Sequence, residues 1–290
     1  MKRILLPVLL ILFITGCKPR AVDQDQKVIT VSIEPFRFFT SAIAGDYYQV
    51  NLIVPPGASP ATYEPPPAVI RGIQGSGLMI INGYLGFELA WMDRITGLNK
   101  DMKILRLADS QDLLAADSHR HGDIIHHTGV DPHFWMSPQS ARIIVRDIRD
   151  FLVRYDPEHE AEYNINYMKL DSLIRDTDLY IKSVLDKQED RSFMIFHPSL
   201  TYFARDYGLE QIAVESEGKE PSPSELKKLI DIGREKELKS MFVQREFDRK
   251  NADIIGREIG AEIIVIDPLS FDWIQSVREI AEHIGGIKSN

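Results

Sequence analysis

The chain has 290 residues, 44% of them hydrophobic, which suits a soluble globular protein with room for two compact lobes. A formal net charge of −9 and the lack of a basic stripe argue against a nucleic-acid partner, which would need cationic side chains to displace phosphate counterions. One cysteine, Cys17, excludes a disulfide framework and a thiolate metal centre, so any metal must be held by His, Asp and Glu.

Residues 1–16 read as a targeting segment. Lys2 and Arg3 form a positive head, Ile4 to Ile14 an apolar run, and Ile14-Thr15-Gly16-Cys17 a small-residue cleavage site. The pattern resembles a bacterial lipoprotein signal, which implies cleavage before Cys17 and lipidation of that residue. The apolar run is well short of the roughly twenty residues that a signal-anchor helix needs. Loss of Lys2 and Arg3 on cleavage takes the charge from −9 to −11. Residues 17–27, polar and proline-containing, read as a tether.

Val28 to Ile33 is a short β-branched run, and Phe36 to Ala44 an apolar helix closed by Gly45. Tyr48 to Val54 predicts a second strand, ending in the rigid loop Pro55-Pro56-Gly57-Ala58-Ser59-Pro60. A third strand, Leu78 to Asn82, precedes a helix from about Phe87 to Thr96 that Gly97 is expected to stop; Lys103 to Leu107 is a fourth strand. There follows a loop crowded with His119, His121, His126 and His127, then Asp131-Pro132-His133. Ser137 suits a helix N-cap and Pro138 its first turn, so the helix from Pro138 to Tyr155 would hold His133 at a fixed height. Ala141, Ile144, Val145, Ile148, Phe151 and Leu152 give that helix its apolar stripe.

Asp156-Pro157 breaks the helix and opens another, which runs to about Lys187 without glycine or further proline. At 1.5 Å per residue it would reach roughly 45 Å, more than one lobe spans. The second half repeats the plan with strands at 192–196, 211–214, 240–243 and 262–266 alternating with helices near 201–207, 224–236, 249–260 and 273–284. The expected fold is therefore α/β, with two parallel-sheet (βα)4 lobes, residues 28–156 and 188–290, joined by a linker helix at 157–187.

Open parallel sheets bind ligands beyond the carboxyl ends of their strands. Four such ends stand out: the Pro55 to Glu64 loop, His133, His197 and Asp267. Two imidazoles and a carboxylate from both halves are a plausible set for a divalent metal, although His197 could merely cap a helix and Asp267-Pro268 could be a turn starter.

The chain resembles the metal-binding lipoproteins of cluster A-I ABC importers, the ZnuA/TroA type. The matching segments are Pro56-Gly57-Ala58-Ser59-Pro60 with Thr62-Tyr63-Glu64-Pro65, Asn82-Gly83 with Glu88, Asp131-Pro132-His133-Phe134-Trp135, His197 with Tyr202-Phe203-Ala204, Pro221-Ser222-Pro223 and Ile266-Asp267-Pro268-Leu269. The resemblance implies a metal between the lobes, with its second, third and fourth ligands at His133, His197 and Asp267. It implies high-affinity zinc capture by a monomer and delivery to an ABC permease, lipid-anchored through Cys17 on the periplasmic or extracellular face. A histidine in the third place favours zinc; manganese or iron is the alternative cargo.

The first ligand place departs from the family. Where the loop normally carries histidine this chain has Ala61, which cannot coordinate. Three outcomes stay open: water completes the site, His126 or His127 swings in, or metal binding is weakened. Glu64 is the poorer substitute, since its family role lies in the loop's own packing. The four clustered histidines read either as a solvated surface or as a zinc-collecting loop. Affinity should fall below about pH 6.5, where imidazole protonates. A surface adhesin on the same fold and a metal-dependent hydrolase are the rivals, the latter disfavoured because no separate general base is identifiable. His159-Glu160 with Tyr163 lacks the second histidine of a metalloprotease helix. Trp91 and Trp135 are expected to pack between elements. A helical connector predicts that local loop movement, not hinge closure, gates the site.

Overall fold

The computed structural model describes residues 27–287 apart from 117, 122–123, 128, 216–220 and 248. The targeting segment, Cys17 and nearly all of the tether lie outside the described residues.

The first sheet is built from β1 (Lys27–Val31), β2 (Tyr48–Leu52), β3 (Leu78–Ile81) and β4 (Lys103–Arg106), all parallel in the order β2-β1-β3-β4. In β3 every side chain is buried, as expected of a strand covered on both faces. The helices that cover it include α1 (Glu34–Ala44) and α3 (Gly86–Leu98). Gly97 does not stop α3: the helix runs one residue past it, because an exposed helix tolerates one glycine at a cost of about 1 kcal/mol. A further helix, α2 (Pro67–Gln74), starts on Pro67, between the Pro55 to Glu64 loop and the third strand, where the sequence reading assigns no element. Its Pro65-Pro66-Pro67 lead hides a helix start behind a run that reads as a breaker, yet proline suits the first turn.

The histidine segment is a two-stranded antiparallel hairpin, β5 (Ser118–His121) with β6 (Ile124–His127), pairing His119 with His126. The expectation of a loop there is corrected: the two arms pair in register from Ser118–His127 to His121–Ile124, although only the second arm, through Ile124 and Ile125, carries β-branched residues. Of the side chains of His119, His121, His126 and His127 nothing is described.

The helix α4 (Pro138–Tyr155) buries the predicted stripe, and Ser137 caps it by accepting from the Ser140 amide at 3.1 Å. The long helix α5 (Glu160–Leu185) begins after a short 3₁₀ turn at Pro157–His159 and runs about 39 Å over 26 residues. It is not a bare strut. Tyr163, Leu170, Ile174, Thr177, Ile181 and Leu185 are buried in a stripe at three- and four-residue spacing, against α4, α1 and the last helix of the chain.

The second sheet repeats the first. β7 (Ser192–Ile195), β8 (Glu210–Ala213), β9 (Ser240–Gln244) and β10 (Glu262–Ile266) are parallel in the order β10-β9-β7-β8. Around it lie α6 (Thr201–Tyr207), α7 (Pro223–Glu235), α8 (Lys250–Ile259) and α9 (Trp273–Ile284). In each sheet the second strand lies on one side of the first and the third on the other. The chain thus reverses direction between first and third strands, and the crevice at their carboxyl ends is where such folds receive ligands.

Candidate metal centre

Both crevices open on one cleft of about 240 Å³, lined from the first lobe by Ser59, Pro60, Ala61, Tyr84, His133 and Trp135, and from the second by His197, Ser199, Gln244, Glu246, Phe247 and Pro268. Its two imidazoles come from different sheets and meet at their tips: His133 Nε2 lies 3.3 Å from His197 Nε2, with the rings nearly perpendicular at 75°.

His133 stands in a single 3₁₀ turn, His133–Met136, between Pro132 and the cap of α4. Asp131, buried, takes two hydrogen bonds on Oδ1, from the His133 amide and from its Nδ1, both 2.8 Å. That assigns the proton to Nδ1 and leaves the Nε2 lone pair free to face the cleft, the arrangement of carboxylate-supported metal ligands. Burial works against ionisation of Asp131, but its interactions with His133 and the Thr201 side chain outweigh it and hold the carboxyl below its usual range. The turn is fastened from both sides. The Asn82 side chain donates to the Pro132 carbonyl at 2.9 Å, and the Tyr202 hydroxyl to the Asp131 carbonyl at 2.7 Å.

His197 follows β7 and is gripped by Gln244, whose side chain accepts from the His197 amide at 3.2 Å and donates to its carbonyl. Phe247 stacks on the imidazole at 4.9 Å between centroids. Glu215 Oε2 lies 3.3 Å behind Nδ1, close enough to pair electrostatically, though neither atom has a hydrogen-bond partner. His197 therefore also offers Nε2 to the cleft, with a carboxylate at its back.

Two nitrogens bound to one tetrahedral zinc at about 2.0–2.1 Å stand about 3.3 Å apart. The two Nε2 atoms are at that separation in the structure. Without a metal the same separation is an N–H···N hydrogen bond between the two rings, and with both Nε2 lone pairs free it suits a first-row divalent ion.

Asp267, the third residue singled out from the sequence, is not brought to this pair. Its carboxylate faces Arg245 at 3.3 Å and accepts from the Leu269 amide at 3.1 Å, in a neighbouring groove with Ser276 and His283. Among the described residues, no three His, Cys, Asp or Glu side chains stand close enough together to enclose a metal. Ala61 does line the cleft, on a loop pressed so closely against α3 that a Cβ on Gly86 would sit 2.2 Å from the Ala61 carbonyl. Glu64 is exposed and does not line the cleft.

Behind the loop, buried Glu88 gathers the end of β3. It accepts from the Asn82 and Gly83 amides at 2.9 and 2.6 Å and from the Ser32 hydroxyl. Burial pushes its carboxyl up, against the pull of these donors. His159 and Tyr163 serve structure: both bond the Asp156 carboxylate, at 3.1 and 2.7 Å. Trp135 is buried, as expected of a packing residue, while Trp91 is half-buried under Arg94.

Gln244, Glu246 and Phe247 were missed from the sequence, although the signal was available. They sit at and just beyond the carboxyl end of the Ser240–Gln244 strand, one of the strand ends where ligands are sought, and that end was passed over because no histidine marks it.

The family model for the zinc-uptake complex component A, periplasmic, matches residues 29–285. The zinc-binding lipoprotein AdcA of Streptococcus pneumoniae (strain ATCC BAA-255 / R6) is 26% identical over 93% of this chain, and the chain spans only 56% of that relative's length. The high-affinity zinc uptake system protein ZnuA of Bacillus subtilis (strain 168) is 28% identical over 84% of this chain and 79% of its own. A crystal structure of a ZnuA deletion mutant with zinc bound superposes with a TM-score of 0.83 at 34% identity, over 92% of this chain and 99% of that one.

Proposed function

The chain belongs to the zinc-uptake complex component A family, and from that premise we propose that it captures zinc between its two lobes and passes it to an ABC permease. The observation that carries the reading is the 3.3 Å approach of His133 Nε2 to His197 Nε2, one from each lobe. Capture requires affinity and release, not chemistry on a substrate. Two imidazoles favour zinc over manganese, because nitrogen donors suit the softer ion. Local movement of the Pro55 to Glu64 loop and of the histidine-bearing segment, in place of hinge closure, would gate access to the pair.

In this reading residues 28–156 and 188–290 act as the two lobes, with residues 157–187 as the connector. Asp267 joins the histidines when zinc arrives. The exposed Arg245 guanidinium and the Leu269 amide hold it away, and the ion pair with Arg245 is worth about 1 kcal/mol or less. Cys17, outside the described residues, would carry the lipid that keeps the monomer at the membrane, and residues 17–27 would let it reach the permease. Among the described residues no helix is long and apolar enough to cross a membrane. The histidines of the hairpin would collect zinc for the cleft.

Calorimetric titration of the mature chain with zinc and with manganese tests the proposal. Zinc should bind at micromolar concentration or tighter, with manganese weaker, and His133→Ala should abolish the heat. A wild-type chain that takes up no zinc would overturn the function.

A further inference from the structure

With Ala61 where the resemblance puts the first ligand, the loop lines the first-lobe side of the cleft with Ser59, Pro60 and Ala61 and brings no imidazole or carboxylate to it. On the second-lobe wall stands Glu246, two residues beyond the end of β9, the strand that pairs alongside the β7 strand leading to His197. Its Oε1 is buried without a hydrogen-bond partner. A buried carboxylate oxygen left unpaired is costly unless something on the cleft side satisfies it. We infer that Glu246, which stands apart from the two imidazoles, turns on metal binding to supply a carboxylate oxygen to the ion held by His133 and His197, in the role that a side chain at position 61 would otherwise fill.

The inference rests on the zinc-capture reading and deepens it. The charges are complementary: two neutral imidazoles leave a divalent ion uncompensated, and a carboxylate in the same cleft balances it. Glu246 also lies close enough to Asp267, Arg245 and His197 for each to act on its carboxylate, so Asp267 and Glu246 repel one another across this side of the cleft. A cation between them relieves that repulsion. The two carboxylates would then meet on one ion, Asp267 arriving from the Arg245 side. His126 and His127 are the competing source of a ligand, and water is the other.

Zinc titrations of the wild-type chain, Glu246→Gln, the double variant His126→Ala/His127→Ala and the double variant Ala61→His/Glu246→Gln separate these sources. The visible spectra of the cobalt(II)-loaded chains report the ligand field. Glu246→Gln should weaken zinc by more than about 100-fold, beyond the tenfold to 100-fold cost of losing a mere outer support, and should change the cobalt spectrum. The hairpin double variant should match wild type, and Ala61→His should restore much of the affinity lost with Glu246. An unchanged melting temperature of metal-free Glu246→Gln shows that the fold is intact. Wild-type affinity in Glu246→Gln, with His133→Ala still inactive, would overturn this inference alone; no zinc uptake by the wild-type chain would remove the capture reading beneath it.

Discussion

At the scale of single residues, the two histidines differ in how firmly their carboxylates hold them. Asp131 receives a true hydrogen bond from His133 Nδ1 at 2.8 Å, whereas Glu215 stands 3.3 Å behind His197 Nδ1 without one. The carboxylate that fixes the tautomer also raises the basicity of the ligating nitrogen, so its loss should weaken zinc by about tenfold to 100-fold. We expect Asp131→Asn to fall in that range by calorimetry and Glu215→Gln to cost less; the reverse order would mean that ring orientation at His133 is set elsewhere. What the sequence reveals of the site follows the same division. His133 and His197 are readable because imidazole is rare and both sit at strand ends. Asp267 is readable as a strand-end carboxylate, but not its ion pair with Arg245, which depends on two adjacent parallel strands ending side by side. Glu246 is one of 43 acidic residues, and only the fold shows it walled into the cleft.

At the scale of elements, the junction of α4 and α5 is held by one carboxylate. Asp156 is 2% exposed and accepts from Lys27 Nζ at 2.9 Å, Tyr163 at 2.7 Å and His159 at 3.1 Å, tying the start of β1 to both helices. Burial alone would raise its carboxyl; the three donors overcome this and bring it to about 2. An unfolded aspartate titrates near 3.9, so the folded value is depressed. Its stabilisation is complete above about pH 4 and is lost as pH falls from there toward 2. The shift corresponds to about 2 kcal/mol, with the half-exposed Lys27 giving the smaller share because solvent screens it. Asp156→Asn should therefore be about 2 kcal/mol less stable than wild type at pH 7 in urea titrations, and the gap should close near pH 2. A gap that persists in acid would assign the loss to packing. This motif was readable only as a helix break at Asp156-Pro157. The bonds to Lys27 and Tyr163 needed the sheet and α5 to be placed, just as the hairpin and α2 needed tertiary context that local breaker residues conceal.

At the scale of the whole molecule, the two parallel sheets and the long helix follow from strand-helix alternation, yet the alternation says nothing of how tightly the halves are joined. They share one core. Buried side chains form a continuous cluster from Ile29 of β1 through Trp135 and Ile174 to Trp273 and Ala281 of α9. Phe39 of α1 meets Trp273 edge-on at 5.1 Å, the Trp135 indole donates to the Pro268 carbonyl at 2.9 Å, and the Trp273 indole donates to the Trp135 carbonyl at 2.7 Å. Both indoles are 1% exposed. Pulling the halves apart would hydrate about 200 Å² of each, at about 5 kcal/mol apiece by apolar area alone, and would strand their N–H groups. Zinc binding cannot be coupled to such a hinge without losing much of its free energy to it, whereas shifting Asp267 breaks one partly exposed ion pair with Arg245 and one hydrogen bond from the Leu269 amide. Small-angle scattering should accordingly give the same radius of gyration for the metal-free and zinc-saturated chains. Amide exchange should slow on zinc binding in the segments around Pro55–Glu64, Gln244–Phe247 and Asp267–Leu269, and stay unchanged along α5. A contraction on the scale of domain closure, or protection spreading through α5, would show that the shared core yields and that capture works by a hinge after all.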